Sequence, residues 1–294
     1  MKSRISITEK LISFFLLGMI IFMIMIPYTY IIVTAFKAPG EVFETSWMPE
    51  QFSFQAWYDV FQIFDFHKYL INSLIAGLGT SIIAIAISLP GAYIFARKKF
   101  AYRETLFYLI VGTLVFPFIL LIVPITIIWI KFGLFNTYWG LWIAFQIFAV
   151  PYCVWILRGF FAQLSPNLEE AAMVYGCTQF QAFYKVMIPL AKPVMISVLF
   201  LSFLYGWSDF LFSNMLTTGG GPQTASVAIY IAAAGGERIE WELLAVMTLI
   251  TGIPPVIIYM FAQKYLSQTG NKEKNMKKDE TKIIEDELKK LGYI

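Results

Sequence analysis

Residues 169–190, EEAAMVYGCTQFQAFYKVMIPL, form a half-polar stretch between two long apolar segments. The stretch begins with two adjacent glutamates, has a glycine near its middle and has a proline near its end. Charged side chains are costly inside the hydrocarbon of a membrane. If the flanking segments span a membrane, this stretch must therefore lie outside the lipid.

The composition of the 294-residue chain indicates a membrane protein. The chain is 59% hydrophobic and 14% charged, with a mean hydropathy of +0.69, whereas soluble domains are about 45–50% apolar and about 25% charged. The net charge of +3 gives no indication of a nucleic-acid partner. Cys153 and Cys177 have neither disulfide nor metal-site spacing, and both are predicted to be free thiols.

Six segments are long and apolar enough to cross a bilayer, which takes about 20 mostly apolar residues. The first is too long for the core of a cleavable signal peptide and is predicted to be retained. The predicted fold class is an all-α membrane protein with six transmembrane helices. The segments are 11–36, 69–96, 106–130, 138–157, 193–216 and 241–265.

The basic residues predict the orientation of these helices, because cytoplasmic loops carry an excess of lysine and arginine. Eighteen of the 22 basic residues lie before span one, between spans two and three, between spans four and five, or after span six. The other side carries Lys37, Lys68, Lys131 and Arg238. Both termini and the opening stretch are therefore predicted to be cytoplasmic.

The opening stretch and the residues just before it predict two short helices. Ser165 can cap the first with Pro166 at its first position, or Asn167 and Glu170 can form a capping box. Gly176 is placed to end this helix in the left-handed conformation. One helix face is predicted to carry Leu168, Ala171, Ala172 and Tyr175.

The second helix is predicted to begin with a capping box of Thr178 and Gln181 and to stop at Pro189. Its apolar stripe is Phe180, Phe183, Tyr184 and Met187. Two interpretations of this hairpin remain open on spacing alone. It is either an amphipathic hairpin on the membrane surface or a docking surface for another protein.

The first outer loop, 37–68, is rich in aromatic residues, and Phe54, Trp57 and Phe61 follow helical spacing. A helix lying on the outer headgroups and a helix packed against a partner subunit are both compatible with this pattern.

The hairpin resembles the EAA loop of ABC-importer permeases. In that family Glu-Ala-Ala is followed by three residues, glycine, nine residues and an Ile-x-Leu-Pro-like ending. Glu170-Ala171-Ala172, Gly176 and VMIP (186–189) stand at these positions. Tyr175 stands where the family often has aspartate, and Cys177 stands where it often has alanine.

Further motifs resemble the permeases of carbohydrate importers in particular, and the resemblance covers about residues 10–268. It extends to both ends of span two, to the loop before span four and to the end of span five. The matching stretches are Asn72-Ser73, AYIFARKKF (92–100), FGLFNTYWGL (132–141), RGFF (158–161) and WSDFL (207–211).

The resemblance implies the MetI-like fold of a type I importer permease, with two such subunits forming the pathway. In the carbohydrate branch the second subunit is usually a different, related chain. The hairpin would couple to a separate ATPase dimer, and an extracytoplasmic binding protein would deliver a sugar. The coupling residues implied are Glu169, Glu170, Ala171, Ala172, Gly176 and Pro189.

The chain lacks the G-x-x-x-x-G-K-[ST] phosphate-binding loop. It is therefore not expected to bind ATP itself, so energy must come from a partner or an ion gradient. The resemblance implies a transport subunit that is no enzyme and holds no cofactor, with ATP and Mg bound by the partner ATPase subunits. The expected organisation is an N-terminal segment 1–68, a permease core 69–268 with the coupling hairpin at about 158–192, and a charged cytoplasmic tail 269–294. The localisation expected is the cytoplasmic membrane of a bacterium or archaeon.

Asp209 is the only acidic residue well inside a predicted span, and such carboxylates are candidates for function. It either lines the substrate path or holds span five against a neighbour. Trp207, Asn214 and Asn72 are weaker candidates for the path. Gly219, Gly220, Gly221 and Pro222 form an outer loop that either contacts the binding protein or is a plain flexible turn.

Two other functions remain as alternatives. The chain could serve an importer of the same mechanism for another solute, such as a glycerol phosphate. An ion-coupled carrier is the second alternative, but it would not need the hairpin and would usually carry more acidic groups within its spans. The residues form no catalytic constellation that favours a membrane enzyme.

Overall fold

A computed structural model describes residues 7–43, 46–235 and 240–263. Within these residues the chain is helical with irregular connections and has no β-strand. The tail 269–294, including a predicted helix capped by Asp279, lies outside the described residues.

Twelve α-helices follow one another along the described residues. They are α1 Ile7–Thr34, α2 Gln55–Gln62, α3 Phe66–Arg97, α4 Arg103–Gly112, α5 Ile119–Lys131, α6 Tyr138–Gln163, α7 Asn167–Val174, α8 Gln179–Ala182, α9 Ile188–Ser208, α10 Leu211–Leu216, α11 Ala225–Ala234 and α12 Trp241–Gln263. Short 3₁₀ turns lie at Glu41–Phe43 and Thr113–Val115, and a π-helical turn lies at Phe183–Met187.

Four of the six predicted spans are single long helices close to the predicted bounds: α1, α3, α6 and α12. Side chains of α1 are exposed from Lys10 to Tyr30, which is the pattern of a helix solvated by lipid. By length and composition, the described residues contain five helices able to cross a membrane, or six if a bent pair counts as one span.

The third predicted span, 106–130, is not a single straight helix. Helix α4, with the 3₁₀ turn after it, and helix α5 are bent by 100° relative to each other. The break falls at Phe116, whose φ and ψ of −71° and 133° are extended. Phe116 precedes Pro117, and proline drives the preceding residue out of the helical region.

The fifth predicted span begins earlier and ends earlier than expected. Residues Gln179–Ser208 form one apolar helical run, in which α8, the π-helical turn and α9 are continuous. The prediction that Pro189 stops the hairpin helix is therefore wrong. The turn before it is wider than an α-turn, since the Ile188 N–H donates to the carbonyl of Phe183, five residues back. Pro189 follows this turn directly, as the second residue of α9.

The described residues fall into two compact units, one made of residues up to 70 plus 227–253 and one made of 71–226 plus the residues from 254. In the second unit α3, α6 and α9 pack around Leu89, Leu157 and Val198. Helices α3 and α9 approach closely because Gly77 and Gly206 face each other. A Cβ on Gly206 would lie 3.0 Å from the Gly77 Cα and 2.8 Å from the Thr80 Oγ1.

In the first unit two buried carboxylates hold the loop after α1. Backbone N–H groups of Glu50 and Ala38 donate to the Glu41 carboxylate, and these hydrogen bonds lower its pKa from the ordinary glutamate value. The Gly40 N–H donates to the Glu242 Oε1 at 2.7 Å. The predicted helix in this loop is α2, in which Phe61 is exposed while Trp57 is half-buried and donates its Nε1–H to the Ala35 carbonyl.

Candidate functional site

The first helix of the hairpin, α7, ends with local hydrogen bonds that its sequence encodes. Helix α7 begins at Asn167 with Pro166 as its N-cap residue, so neither predicted side-chain cap forms, and the Ser165 Oγ only accepts a long hydrogen bond of 3.4 Å from the Asn167 N–H. At the other end Gly176 has a φ of +89°. Its N–H donates to Met173 O, and the Cys177 N–H donates to Ala172 O, which together are a Schellman motif.

The second helix, α8, has the predicted capping box. The Thr178 Oγ1 accepts from the Gln181 N–H, and the Gln181 side chain accepts from the Thr178 N–H at 2.9 Å. The left-handed glycine and this box lie only two residues apart. The hairpin turn is therefore fixed by local contacts before any long-range packing is considered.

The hairpin presents two different faces. Glu169 and Ala172, three residues apart on α7, are buried at 9% exposure each, together with Ala182 and Met187 of the following helical run. Glu170, Ala171 and Gly176 are exposed, as is Pro189 at the start of α9. The six sequence-predicted coupling residues therefore do not form one surface.

Large apolar side chains are exposed on the hairpin, alongside polar ones such as Glu170, Gln181 and Lys185. Tyr175 is 89% exposed and Val174 is 85% exposed, although both are large side chains. The predicted stripe of the second helix is divided, since Phe180 and Tyr184 point outward while Met187 is buried. The exposed apolar side chains of this face are Leu168, Met173, Val174, Tyr175, Phe180 and Tyr184.

The inward face is anchored by a buried ion pair. The Glu169 Oε1 lies 3.0 Å from the Arg97 Nε at the end of α3, and both side chains are 11% exposed. The Tyr93 hydroxyl donates to the Glu169 Oε2 at 2.8 Å. A second Arg97 nitrogen, Nη2, donates to the Leu164 carbonyl at 2.6 Å. We call Tyr93, Arg97 and Glu169 the anchor triad.

Aromatic packing surrounds the anchor triad. The Tyr93 ring lies 4.5 Å from the Phe183 ring and 5.9 Å from the Phe161 ring, measured between centroids. Tyr93 and Arg97 lie in the AYIFARKKF stretch but are not among the predicted site residues. Their i, i+4 spacing places them on one face of α3, which is a usable signal. The partner, Glu169, is 72 residues after Arg97, and the sequence alone does not pair them.

Near the opposite end of α3, Asn72 joins three parts of the second unit. Its Nδ2 donates to the Gln223 carbonyl at 2.9 Å, and its Oδ1 accepts from the Tyr138 hydroxyl at 2.6 Å. The adjacent Ser73 Oγ accepts from the Ala225 N–H at the start of α11. This predicted path residue is thus bound to the loop 217–224 and to α6.

The glycine-rich loop is held in place by close contacts. Gly219 and Gly220 are exposed, whereas Pro222 is buried. The Asn136 Oδ1 accepts from the Thr218 N–H at 2.9 Å. A Cβ on Gly221 would lie 1.8 Å from that same Oδ1, so the loop can approach Asn136 only because residue 221 has no side chain.

The other predicted path residues lie around the end of α9. Trp207 is 2% exposed, with its ring stacked 5.7 Å from that of Phe203. Asp209 adopts an extended conformation that ends α9, and its Oδ1 accepts from the Ser213 N–H in the first turn of α10. Asn214 is half-buried in α10. Asp209 thus lies at a helix break and caps the helix that follows.

A shallow cavity of about 530 Å³ lies beside Asn72 in the second unit. Aromatic rings and amide groups line it together, a combination suited to sugars. Trp139 and Trp142 lie edge to face, with ring centroids 4.9 Å apart. The remaining lining residues include Asn136, Tyr138, Gly220, Gly221 and Pro222.

Residues 88–269, which include the hairpin, α9 and the anchor residues Tyr93 and Arg97, match the family described as "Binding-protein-dependent transport system inner membrane component". The chain belongs to this family. The match confirms the ABC-importer permease predicted from the EAA-like motif. This permease is thus a multi-pass inner membrane protein and a transport subunit rather than an enzyme.

Curated relatives resemble this permease over most of their length. The "Inner membrane ABC transporter permease protein YcjP" of Escherichia coli (strain K12) is 28% identical over 258 residues, which are 86% of this chain and 92% of the relative. The "Diacetylchitobiose uptake system permease protein NgcG" of Streptomyces coelicolor is 29% identical over 247 residues, which are 83% and 82% of the two chains.

A solved structure has the same fold. It is a bacterial ABC transporter involved in the import of the acidic polysaccharide alginate. One of its chains matches with a TM-score of 0.75 and 21% identity, over 90% of this permease and 99% of that chain. The likeness confirms the all-helical MetI-like fold.

Proposed function

We propose that this permease is one of two membrane subunits of an ATP-driven importer for a sugar or oligosaccharide. The observation that carries the proposal is the family match, which includes a hairpin with an exposed apolar face. The second subunit would be a related but different chain. The two would lie in the cytoplasmic membrane of a bacterium or archaeon, each with both termini in the cytoplasm.

The sugar class is supported by the relatives. One named relative belongs to a diacetylchitobiose uptake system, and the structural neighbour belongs to an alginate importer. The cavity beside Asn72 agrees with this class, because aromatic faces and amides bind sugar rings and hydroxyl groups. Another solute, such as a glycerol phosphate, would be recognised mainly by the binding protein and remains the alternative.

The hairpin is proposed as the docking element for an ATPase dimer that binds ATP and Mg itself. Large apolar side chains exposed together mark sites that another protein or a membrane covers. Glu170 and Ala171 lie on the exposed side with Tyr175 and Val174. Glu169, Ala172, Gly176 and Pro189 would hold the shape of the hairpin rather than touch the partner.

The opposite end of the permease is proposed to receive the solute. The family description itself names a binding protein. Gly219 and Gly220 are exposed and would contact that protein, while Gly221 and Pro222 fix the loop to the helical core. Asn72, Trp207, Asp209 and Asn214 are proposed to border the path, with Asp209 acting through the helix break that it caps.

Purification of the tagged permease from its native membrane in mild detergent, followed by mass spectrometry, tests the docking proposal. We expect an ATPase and a second permease to co-purify with the wild-type chain. Glu170→Lys places the opposite charge on the docking face and should lower ATPase recovery about tenfold, the factor that 1.4 kcal/mol produces.

The matched control is Glu50→Lys, which makes the same charge change at an exposed glutamate outside the hairpin. It should leave ATPase recovery unchanged. Full recovery with Glu170→Lys, or the absence of any ATPase with the wild-type chain, would refute the proposed docking role.

A further inference from the structure

Two sets of contacts lie near the opposite ends of α3. The anchor triad, Tyr93, Arg97 and Glu169, fixes the hairpin to one end. Asn72 and Ser73 fix the loop 217–224 and the start of α11 to the other. Helix α3 is continuous between them, and Asn72 and Arg97 lie about 38 Å apart along it at about 1.5 Å per residue.

The anchor triad resists separation of the hairpin from α3. Both charged side chains of the pair are 11% exposed. Moving one away would leave the other as a buried, unpaired charge, which is strongly unfavourable. Arg97 also holds the Leu164 carbonyl in the connection that leads into α7. The hairpin is therefore attached to α3 through both its connection and its first helix.

We propose that the anchor triad transmits movement of the docked hairpin along α3 to the glycine-rich loop. In this assignment Glu169 is a positioning residue, whereas the neighbouring Glu170 touches the ATPase. A displacement of the hairpin moves the Arg97 end of α3, and the helix, which stays continuous through Pro90, carries it to Asn72. The inference rests on the proposed docking of an ATPase, but it makes a separate claim about how the docked hairpin is connected.

The test uses the complex purified with its ATPase and follows the loop directly. A Gly219→Cys substitution places a thiol at an exposed loop position that has open space around it. Cys177→Ser removes the half-buried native thiol, while Cys153 is buried. The rate of maleimide labelling is measured without nucleotide and with ATP plus vanadate.

In this background we expect ATP with vanadate to change the labelling rate. Glu169→Gln should retain the ATPase and reduce the ATP-induced change about 2- to 30-fold, the range found for residues that couple distant sites. Tyr93→Phe keeps the ring against Phe183, removes one hydrogen bond and should give a smaller reduction. Lys99→Gln removes an exposed charge two residues after Arg97 and should change nothing.

A double substitution distinguishes transmission by the pair from independent effects. Because Arg97 and Glu169 act together, Arg97→Gln combined with Glu169→Gln should be no worse than the more damaging single change. Additive losses, an undiminished response in Glu169→Gln, or a wild-type loop that does not respond to ATP would each overturn the inference.

Loss of the ATPase in Glu169→Gln would also overturn the inference, because Glu169 would then be part of the docking surface. Failure of the wild-type chain to retain any ATPase refutes the proposed function instead. The amount of ATPase and the labelling rate thus separate the two claims.

Discussion

Adjacent residues of the same type have different roles in this permease. Glu169 and Glu170 are neighbours in an acidic pair, yet Glu169 is buried against Arg97 and Glu170 is exposed. Successive residues of a helix point about 100° apart, so one of the two can face the core while the other faces outward. The two glutamates should therefore respond differently to the same substitution.

Gly176 is needed for its backbone conformation rather than for a side-chain contact. Its φ of +89° completes the Schellman motif between α7 and the capping box of α8. We expect Gly176→Val to strain this turn by about 1–2 kcal/mol, because a left-handed backbone places Cβ against the following carbonyl. The hairpin would lose its shape, and ATPase recovery should fall about 5- to 30-fold.

The control for this change is Gly159→Val in α6, where the glycine has open space and no positive φ. Both variants should insert into the membrane in normal amounts. Normal ATPase recovery with Gly176→Val would mean that the left-handed turn is not required for docking.

At the scale of elements, helix breaks and close contacts between helices decide how the apolar segments are arranged. Pro117 forces an extended residue between α4 and α5, and Asp209 ends α9 and caps α10. Two of the apolar stretches predicted as spans are therefore interrupted. Helices α3 and α9, in contrast, come close together because glycines lie at their crossing.

The crossing of α3 and α9 gives a prediction of stability. Gly206→Val introduces atoms less than van der Waals distance from Thr80 and Gly77. Overpacking of this kind costs about 1–3 kcal/mol. We expect a lower midpoint of thermal unfolding in detergent, followed by tryptophan fluorescence.

The same substitution at Gly252, an exposed position in α12 with open space, should leave the midpoint close to the wild-type value. If Gly206→Val unfolds at the wild-type temperature, the two helices do not depend on this close approach.

At the scale of the whole molecule, the two surfaces proposed to meet the ATPase and the binding protein are attached to the same helix, α3. The hairpin and the glycine-rich loop are each fixed to α3, one through the anchor triad and one through Asn72. The sequence contains no phosphate-binding loop. Because the chain belongs to a family of binding-protein-dependent transport components, we expect transport to depend on ATP hydrolysed by a partner.

Proteoliposomes with ATP sealed inside can check this dependence. The purified complex is reconstituted with its binding protein, and uptake of radiolabelled disaccharides is measured with ionophores that collapse proton and sodium gradients. We expect uptake to persist with ionophores and to stop without ATP. Uptake that requires a gradient but no ATP would favour the ion-coupled carrier instead.

The sequence by itself determined the features that depend on neighbouring residues. The apolar lengths gave the long helices, and the Schellman glycine and the capping box gave the hairpin, because these rest on contacts within a few residues. The break in the third predicted span also has a cause that is partly local. Pro117 can be recognised from the sequence as a helix breaker, but the size of the bend, 100°, cannot.

Only the tertiary structure decided which residues of these elements meet. The Tyr93–Glu169 hydrogen bond joins positions 76 residues apart, and the Asn72–Gln223 bond joins positions 151 residues apart. Sequence patterns report the face of a helix but not the helix that will cover it. Consequently the sequence identified a coupling hairpin, and the structure separated its buried anchor from its exposed surface, because burial is a property of the packed chain.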